Sequence, residues 1–209
     1  MPNITAPTLA FPSKAFPAQQ AGAPAGLIGE MLFSEVVGKY STLCKSQKVF
    51  YTSAIITAPA SFLTATQLGP MLWNKPGSGL DAHILAIGVS SPTTASTVAG
   101  AIGYASNNQA TAPTSPSAIV AVNGYAGGGA SQMGAVNAGG VVIILPVPIF
   151  MPLIAINTAA TSVTAVSTNW LDIGGALIIA PGNVGYICGS AVLTTLVLHV
   201  AIIWAELPV

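Results

Sequence analysis

The stretch Met71-Leu72-Trp73-Asn74-Lys75-Pro76-Gly77-Ser78-Gly79-Leu80, running on through Asp81 to Val89, limits the possible folds more than any other part of the chain. A short apolar run ends in a large aromatic. Asn-Lys-Pro-Gly-Ser-Gly then gathers the residues that bend a backbone, since Pro presets φ and Gly accepts φ > 0. Beyond the turn, Leu80, Ala82, Ile84, Ala86 and Gly88 share one strand face. Asp81, His83, Leu85, Ile87 and Val89 share the other, as in a strand running from a rim into a core. The order recurs near the C-terminus, where Ile178-Ile179-Ala180-Pro181-Gly182-Asn183 makes a turn and Leu193 to Trp204 a long closing strand. Two such hairpin-like units predict an all-β chain. The expected form is a jelly-roll-like β-sandwich with an extended N-terminal arm and one short helix.

Three regions follow from the punctuation. Residues 1–25 carry Pro2, Pro7, Pro12, Pro17 and Pro24 and read as an extended arm, with Phe11 and Phe16 as plugs for a neighbour's grooves. Residues 26–48 hold a short helix and a connector. Leu27, Ile28, Met31, Leu32 and Glu35 follow three-and-four spacing from Gly26 to Tyr40, and Gly38 is placed to end the helix. Residues 49–209 form the sandwich. Its further strands are expected at Val49 to Thr57, Phe62 to Leu68, Thr94 to Tyr104, Ala118 to Asn123, Val141 to Val147, Leu153 to Asn157, Ser162 to Thr168, Ala176 to Ala180 and Val184 to Cys188. Asn107 to Ser117 and the glycine-rich Gly124 to Gly140 read as loops.

Charge narrows the setting. Only 5% of residues are charged, against about 25% in ordinary soluble domains. There is no Arg, and no charged residue lies between Ala82 and Leu171. Such a chain has little electrostatic repulsion to keep copies apart. A helical membrane span is a poor alternative, because the most apolar run, Val141 to Ile156, contains Pro146, Pro148 and Pro152 and falls short of roughly 20 residues. No basic segment followed by an apolar one opens the chain, so no signal peptide is expected. Strands that present Ala, Gly, Ser and Thr suit close packing against siblings, and a homotrimer packed sheet face to sheet face is expected. Glu30, Glu35, Lys39, Lys45 and Lys48, five of the ten charges, are concentrated before the first strand. With Phe11 and Phe16 they are the candidate contacts to a partner.

No chemistry stands out. Cys44, His83, Cys188 and His199 make a two-Cys two-His set on paper, but their spacing matches no metal motif and they read as structural residues. Asp81 and His83 stand at i and i+2 on one strand face, yet no G-x-S-x-G accompanies them. The glycine-rich loop lacks G-x-G-x-x-G and precedes a strand, and five Lys without Arg cannot line a nucleic-acid groove. The expectation is a protein without enzymatic activity, cofactor, metal, nucleic acid or membrane, whose two cysteines stay reduced.

Gly38-Lys39-Tyr40, Val49-Phe50-Tyr51-Thr52 and Leu72-Trp73-Asn74-Lys75-Pro76-Gly77-Ser78-Gly79, followed by an apolar strand, resemble small virion structural proteins of tailed bacteriophages. The ending Ile178-Ile179-Ala180-Pro181-Gly182 … Ile203-Trp204-Ala205-Glu206-Leu207-Pro208-Val209 is similar to their C-termini. The likeness covers roughly residues 38–89 and 173–209. This chain departs from it in the Lys inserted at Asn74-Lys75-Pro76 and in lacking Arg. The resemblance implies a particle component: a capsid decoration or cement protein bound at joints between major capsid proteins. A trimeric receptor- or carbohydrate-binding protein of a tail or fibre tip is the alternative, which requires an exposed aromatic among Trp73, Trp170 and Trp204.

Overall fold

A computed structural model describes residues 39–90, 99–114, 117–142, 148–157, 168–193 and 196–209. The chain divides into two compact units, residues 1–42 and 43–209. The arm, most of the expected helix from Gly26, and the strand expected from Ser162 lie outside the described residues. Lys39 and Tyr40 form a turn, with the Lys39 ammonium 5.2 Å from the centre of the Tyr40 ring. A five-residue helix that the spacing does not predict, α1 (Ser41–Lys45), follows.

Ten strands follow among the described residues: β1 (Val49–Thr57), β2 (Thr66–Asn74), β3 (Leu80–Ser90), β4 (Ala99–Asn108), β5 (Val122–Asn123), β6 (Ala135–Val141), β7 (Ile149–Asn157), β8 (Thr168–Ile179), β9 (Asn183–Gly189) and β10 (Val197–Pro208). They form two five-stranded sheets packed as a sandwich. Sheet I has the order β5-β1-β10-β3-β8 and sheet II the order β6-β2-β9-β4-β7, and every ladder is antiparallel. The expected all-β sandwich is therefore present.

Its two Pro-Gly turns do something other than make hairpins. β2 and β3 belong to different sheets, as do β8 and β9. Each turn is thus a corner that carries the chain across the sandwich. The corners are built alike: the Ser78 amide donates to Lys75 O at 3.2 Å and the Asn183 amide to Ala180 O at 3.1 Å. The glycine at the third position has φ +73° at Gly77 and +81° at Gly182, which the missing Cβ allows. The corners lie side by side, stitched by the Gly182 amide on Asn74 O at 2.8 Å. The buried Asn74 side chain ties the strand that leaves one corner, β3, to the strand that enters the other, β8, its Nδ2 donating to Leu80 O at 2.7 Å and Ile179 O at 2.9 Å.

Between the sheets, Phe50, Ile56, Ile84, Ile87, Val200, Ile202 and Trp204 of sheet I meet Leu72, Ile102, Tyr104 and Ile187 of sheet II. Trp204 is fully buried and stacks on Phe50 with ring centres 6.0 Å apart. Burying a side chain of this size contributes roughly 2–3 kcal/mol.

The strict alternation expected along β3 fails at Leu85. That residue has no register partner in either flanking ladder: Trp204 and Ile203 pair with Ile84 and Ala86, as do Leu177 and Asp172 on the other side. An extra residue flips the alternation. The core therefore receives Ala82 and Ile84 before the bulge, then Ile87 and Val89 after it. Opposite the bulge, Ile173 to Ala176 are also unpaired in β8, with Gly174 and Gly175 at φ +64° and +84°.

Candidate functional site

The outer faces of the two sheets differ. In sheet II, Met71, Tyr186, Ala105 and Phe150 form one register row across four strands, pointing away from sheet I. The first three are fully covered, and Val184 and Cys188 join them in a second apolar cluster. Phe62, from the β1–β2 connection, stacks on Phe150 with ring centres 4.8 Å apart. Ala105 lies under the chain's own second layer, and Gly103 makes room for the Phe150 ring.

The outer face of sheet I has no such layer among the described residues. Its register rows run Val122-Tyr51-Ile203-Ala86-Asp172, then Ser53-Ala201-Gly88-Trp170. Tyr51 is 44% exposed, Ile55 63%, Trp170 55% and Ile178 50%. Both histidines stand on this face, His199 opposite Ile55 and Ser90, and His83 opposite Ala205 and Ile178. No lysine lies on β1, β10, β3 or β8. This is a broad, almost neutral apolar surface of the kind that marks contact sites.

One packing device recurs. Phe150 covers Gly103, Trp73 covers Gly134, Tyr104 covers Gly185 and Trp170 covers Gly88; a Cβ at any of these glycines would stand within 2.9 Å of a ring carbon. Three of the rings are enclosed: Phe150 by Phe62, Tyr104 in the core, and Trp73 half-buried with its Nε1 donating to Gln109 O at 2.7 Å. Trp170 alone of the four stands open. Sequence spacing cannot reveal this, because an aromatic opposite a glycine reads the same whether or not a further layer covers it.

The remaining candidates are scattered. Phe11, Phe16, Glu30 and Glu35 lie outside the described residues. Lys39, Lys45 and Lys48 are exposed, Lys45 in the last turn of α1 and Lys48 just before β1. Cys44 sits half-buried on α1, and Cys188 is buried on the far side of sheet II, its thiol pushed up to about 12 by desolvation. The two cysteines are unbonded. No group of three or more His, Cys, Asp or Glu able to hold a metal occurs among the described residues. Asp81 and His83 are both half-buried, and among the described residues no hydrogen bond joins His83 to Asp81 or to a serine.

A buried carboxylate that spacing did not single out organises the glycine-rich loop. Glu206 is 2% exposed; its Oε1 accepts from Trp204 Nε1 at 3.1 Å and from the Ser131 hydroxyl, its Oε2 from the Gln132 amide at 2.8 Å. The second half of that loop is β6, paired with β2. Among the described residues no helix is long and apolar enough to cross a membrane. Comparison with protein-family models, with curated proteins and with solved structures yields no match.

Proposed function

We propose that this chain is a non-enzymatic structural protein of a tailed-bacteriophage particle, a homotrimeric decoration protein bound at joints between major capsid proteins. The observation that carries the reading is the β5–β1 flank of sheet I. β5 covers only Phe50 and Tyr51 of β1, so the edge from Ser53 to Thr57 carries no lysine or other charge to deter pairing. Val120 (76% exposed), Val122, Tyr51 and Ile55 make this flank apolar. A sibling chain seated there would remove the exposed apolar area and satisfy the edge. The strand order supports reading the sandwich as a jelly roll: with β5 and β6 set aside, β1-β10-β3-β8 and β2-β9-β4-β7 are two interlocked Greek keys. Capsid and lectin domains share that architecture, so it fits the reading without fixing it.

Sedimentation of the purified full chain tests the assembly. Three copies are expected at micromolar concentration, and Ile55→Lys with Tyr51→Lys is expected to release single folded chains; a freely soluble single wild-type chain overturns the trimer. Electron microscopy of phage particles with and without the protein tests its place in the virion. A second reading, a trimeric receptor- or carbohydrate-binding protein of a tail or fibre tip, is favoured by the exposed Trp170.

A further inference from the structure

We propose that Asn123-Gly124 is a latent self-modification site, where the chain deamidates when the loop after β5 opens and which the closed loop holds in check. It is the chain's single Asn-Gly step; every other Asn precedes a residue that carries a side chain. In the reaction the backbone nitrogen of Gly124 attacks Asn123 Cγ. The N–Cγ bond forms, the Cγ–Nδ2 bond breaks, and the amide leaves as ammonia with the Gly124 N–H proton. Water then opens the succinimide ring at either carbonyl, leaving Asp or isoaspartate at position 123. Glycine after Asn favours ring closure, since it puts no side chain beside the attacking nitrogen and its backbone turns freely.

In the closed loop both reacting groups are engaged. The Gly124 amide donates to Val49 O at 2.8 Å, which ties the nucleophile to the start of β1. Asn123 Nδ2 donates to Gln47 O at 3.1 Å and to Gly129 O at 3.0 Å, and its Oδ1 accepts from the Tyr125 amide at 2.9 Å. Gln47 Oε1 accepts from the Gly129 amide at 3.1 Å, so the connector before β1 and the loop tip close over the Asn123 amide together. Gly128 lies against that amide: a Cβ there would stand 2.6 Å from Cγ and 2.8 Å from Nδ2. Ring closure requires the Gly124 amide and the Asn123 side chain to leave these partners, so its rate follows the opened population. Conversion also keeps the loop open. Asp at position 123 has no donor for the Gln47 and Gly129 carbonyls and turns a carboxylate towards them.

The test incubates the full-length chain at mildly alkaline pH, native and in denaturant, and follows residue 123 by peptide mass mapping that separates Asn, Asp and isoaspartate. The native chain is expected to convert at least about tenfold more slowly than the denatured one. Gly128→Ala pushes a methyl group into the Asn123 amide. Gln47→Gly removes the Oε1 link while accepting the φ of +59° held there. Each, folded by circular dichroism, is expected to convert at least about threefold faster than the native wild type. Gly129→Ala, whose Cβ meets nothing within 4 Å, is expected to keep the wild-type rate. Should Gly128→Ala fail to fold, Gln47→Gly decides. The proposal is overturned if native and denatured chains convert at one rate, or if the denatured chain leaves Asn123 intact. It is also overturned if no folded variant outpaces wild type. None of these outcomes bears on the sedimentation test of the trimer.

Discussion

Asn74 donates from one amide nitrogen to the carbonyls of Leu80 and Ile179, residues on two neighbouring strands of the opposite sheet. This single side chain holds together the two corners by which the chain crosses between sheets. Replacing it with Ala removes the donor from the buried Ile179 carbonyl and leaves the half-buried Leu80 carbonyl only the Ser78 hydroxyl, at 3.2 Å. A buried group left unmet costs about 1–3 kcal/mol. Asn74→Ala is expected to lower unfolding free energy by roughly 2–4 kcal/mol in denaturant titration, and Asn74→Asp by at least as much, because a carboxylate faces two acceptors there. A loss below about 0.5 kcal/mol would show that the corners close without it.

Glu206 anchors residues 131–132 through both carboxylate oxygens. In Glu206→Gln one oxygen becomes an NH2 donor, and in either orientation of the amide it meets another donor, the Gln132 amide or Trp204 Nε1. The variant is expected to lose about 1–3 kcal/mol and to speed amide hydrogen exchange across residues 124–134 selectively. Uniform exchange throughout the chain would contradict the anchoring role.

Alkali should unfold the protein through its buried acids. Desolvation pushes the Cys188 thiol from 9.0 up to about 12 and raises the Tyr104 and Tyr186 hydroxyls above the ordinary phenol value. The unfolded chain releases these protons at lower pH than the folded one, so stability falls as pH rises. It should be level below about pH 8.5 and decline from about pH 9 through about pH 12. Denaturation midpoints across that range check the sign, and a flat profile would refute it. At pH 8 a small alkylating reagent is expected to reach half-buried Cys44 first and Cys188 only on unfolding.

Two glycines make a matched pair. A Cβ at Gly103 would stand 2.3 Å from Met151 O and 2.7 Å from Phe150 Cζ, whereas one at Gly129 meets nothing within 4 Å. Gly103→Ala is expected to cost about 1–3 kcal/mol and Gly129→Ala to fall within about 0.5 kcal/mol of wild type, as thermal unfolding can show.

Much of the fold was legible because strand grammar is local. β1 and β3 match their expected limits, and the Pro-Gly turns sit where their residues demand. What a turn joins is not local. Asn-Lys-Pro-Gly-Ser-Gly bends the chain equally well into a hairpin or around a corner, and only the pairing partners decide. The runs from Phe62 and Met71 resolve into the single strand β2, which passes through Gly69 and Pro70. Gly69 admits Ile187 O at 2.1 Å from where a Cβ would stand, so an apparent breaker marks a close backbone approach. β6 hides in the glycine-rich loop because Ala135 to Val141 has little side-chain pattern, and the ladder with β2 makes it a strand. Of the candidate site, Trp170 was visible as a residue, but its openness depends on which sheet face acquires a second layer.

The two ends of the sandwich are also unequal. Short Pro-Gly corners stitched by Asn74 close one end, while residues 58–65 after β1 and residues 190–193 after β9 meet at the other, where the Leu193 amide donates to Pro59 O at 3.1 Å. A foreign peptide grafted between Lys75 and Ser78 would pull the two corners apart, whereas one grafted into residues 58–65 would have to spare the Gly189 amide on Ala60 O and the Phe62 amide on Gly189 O.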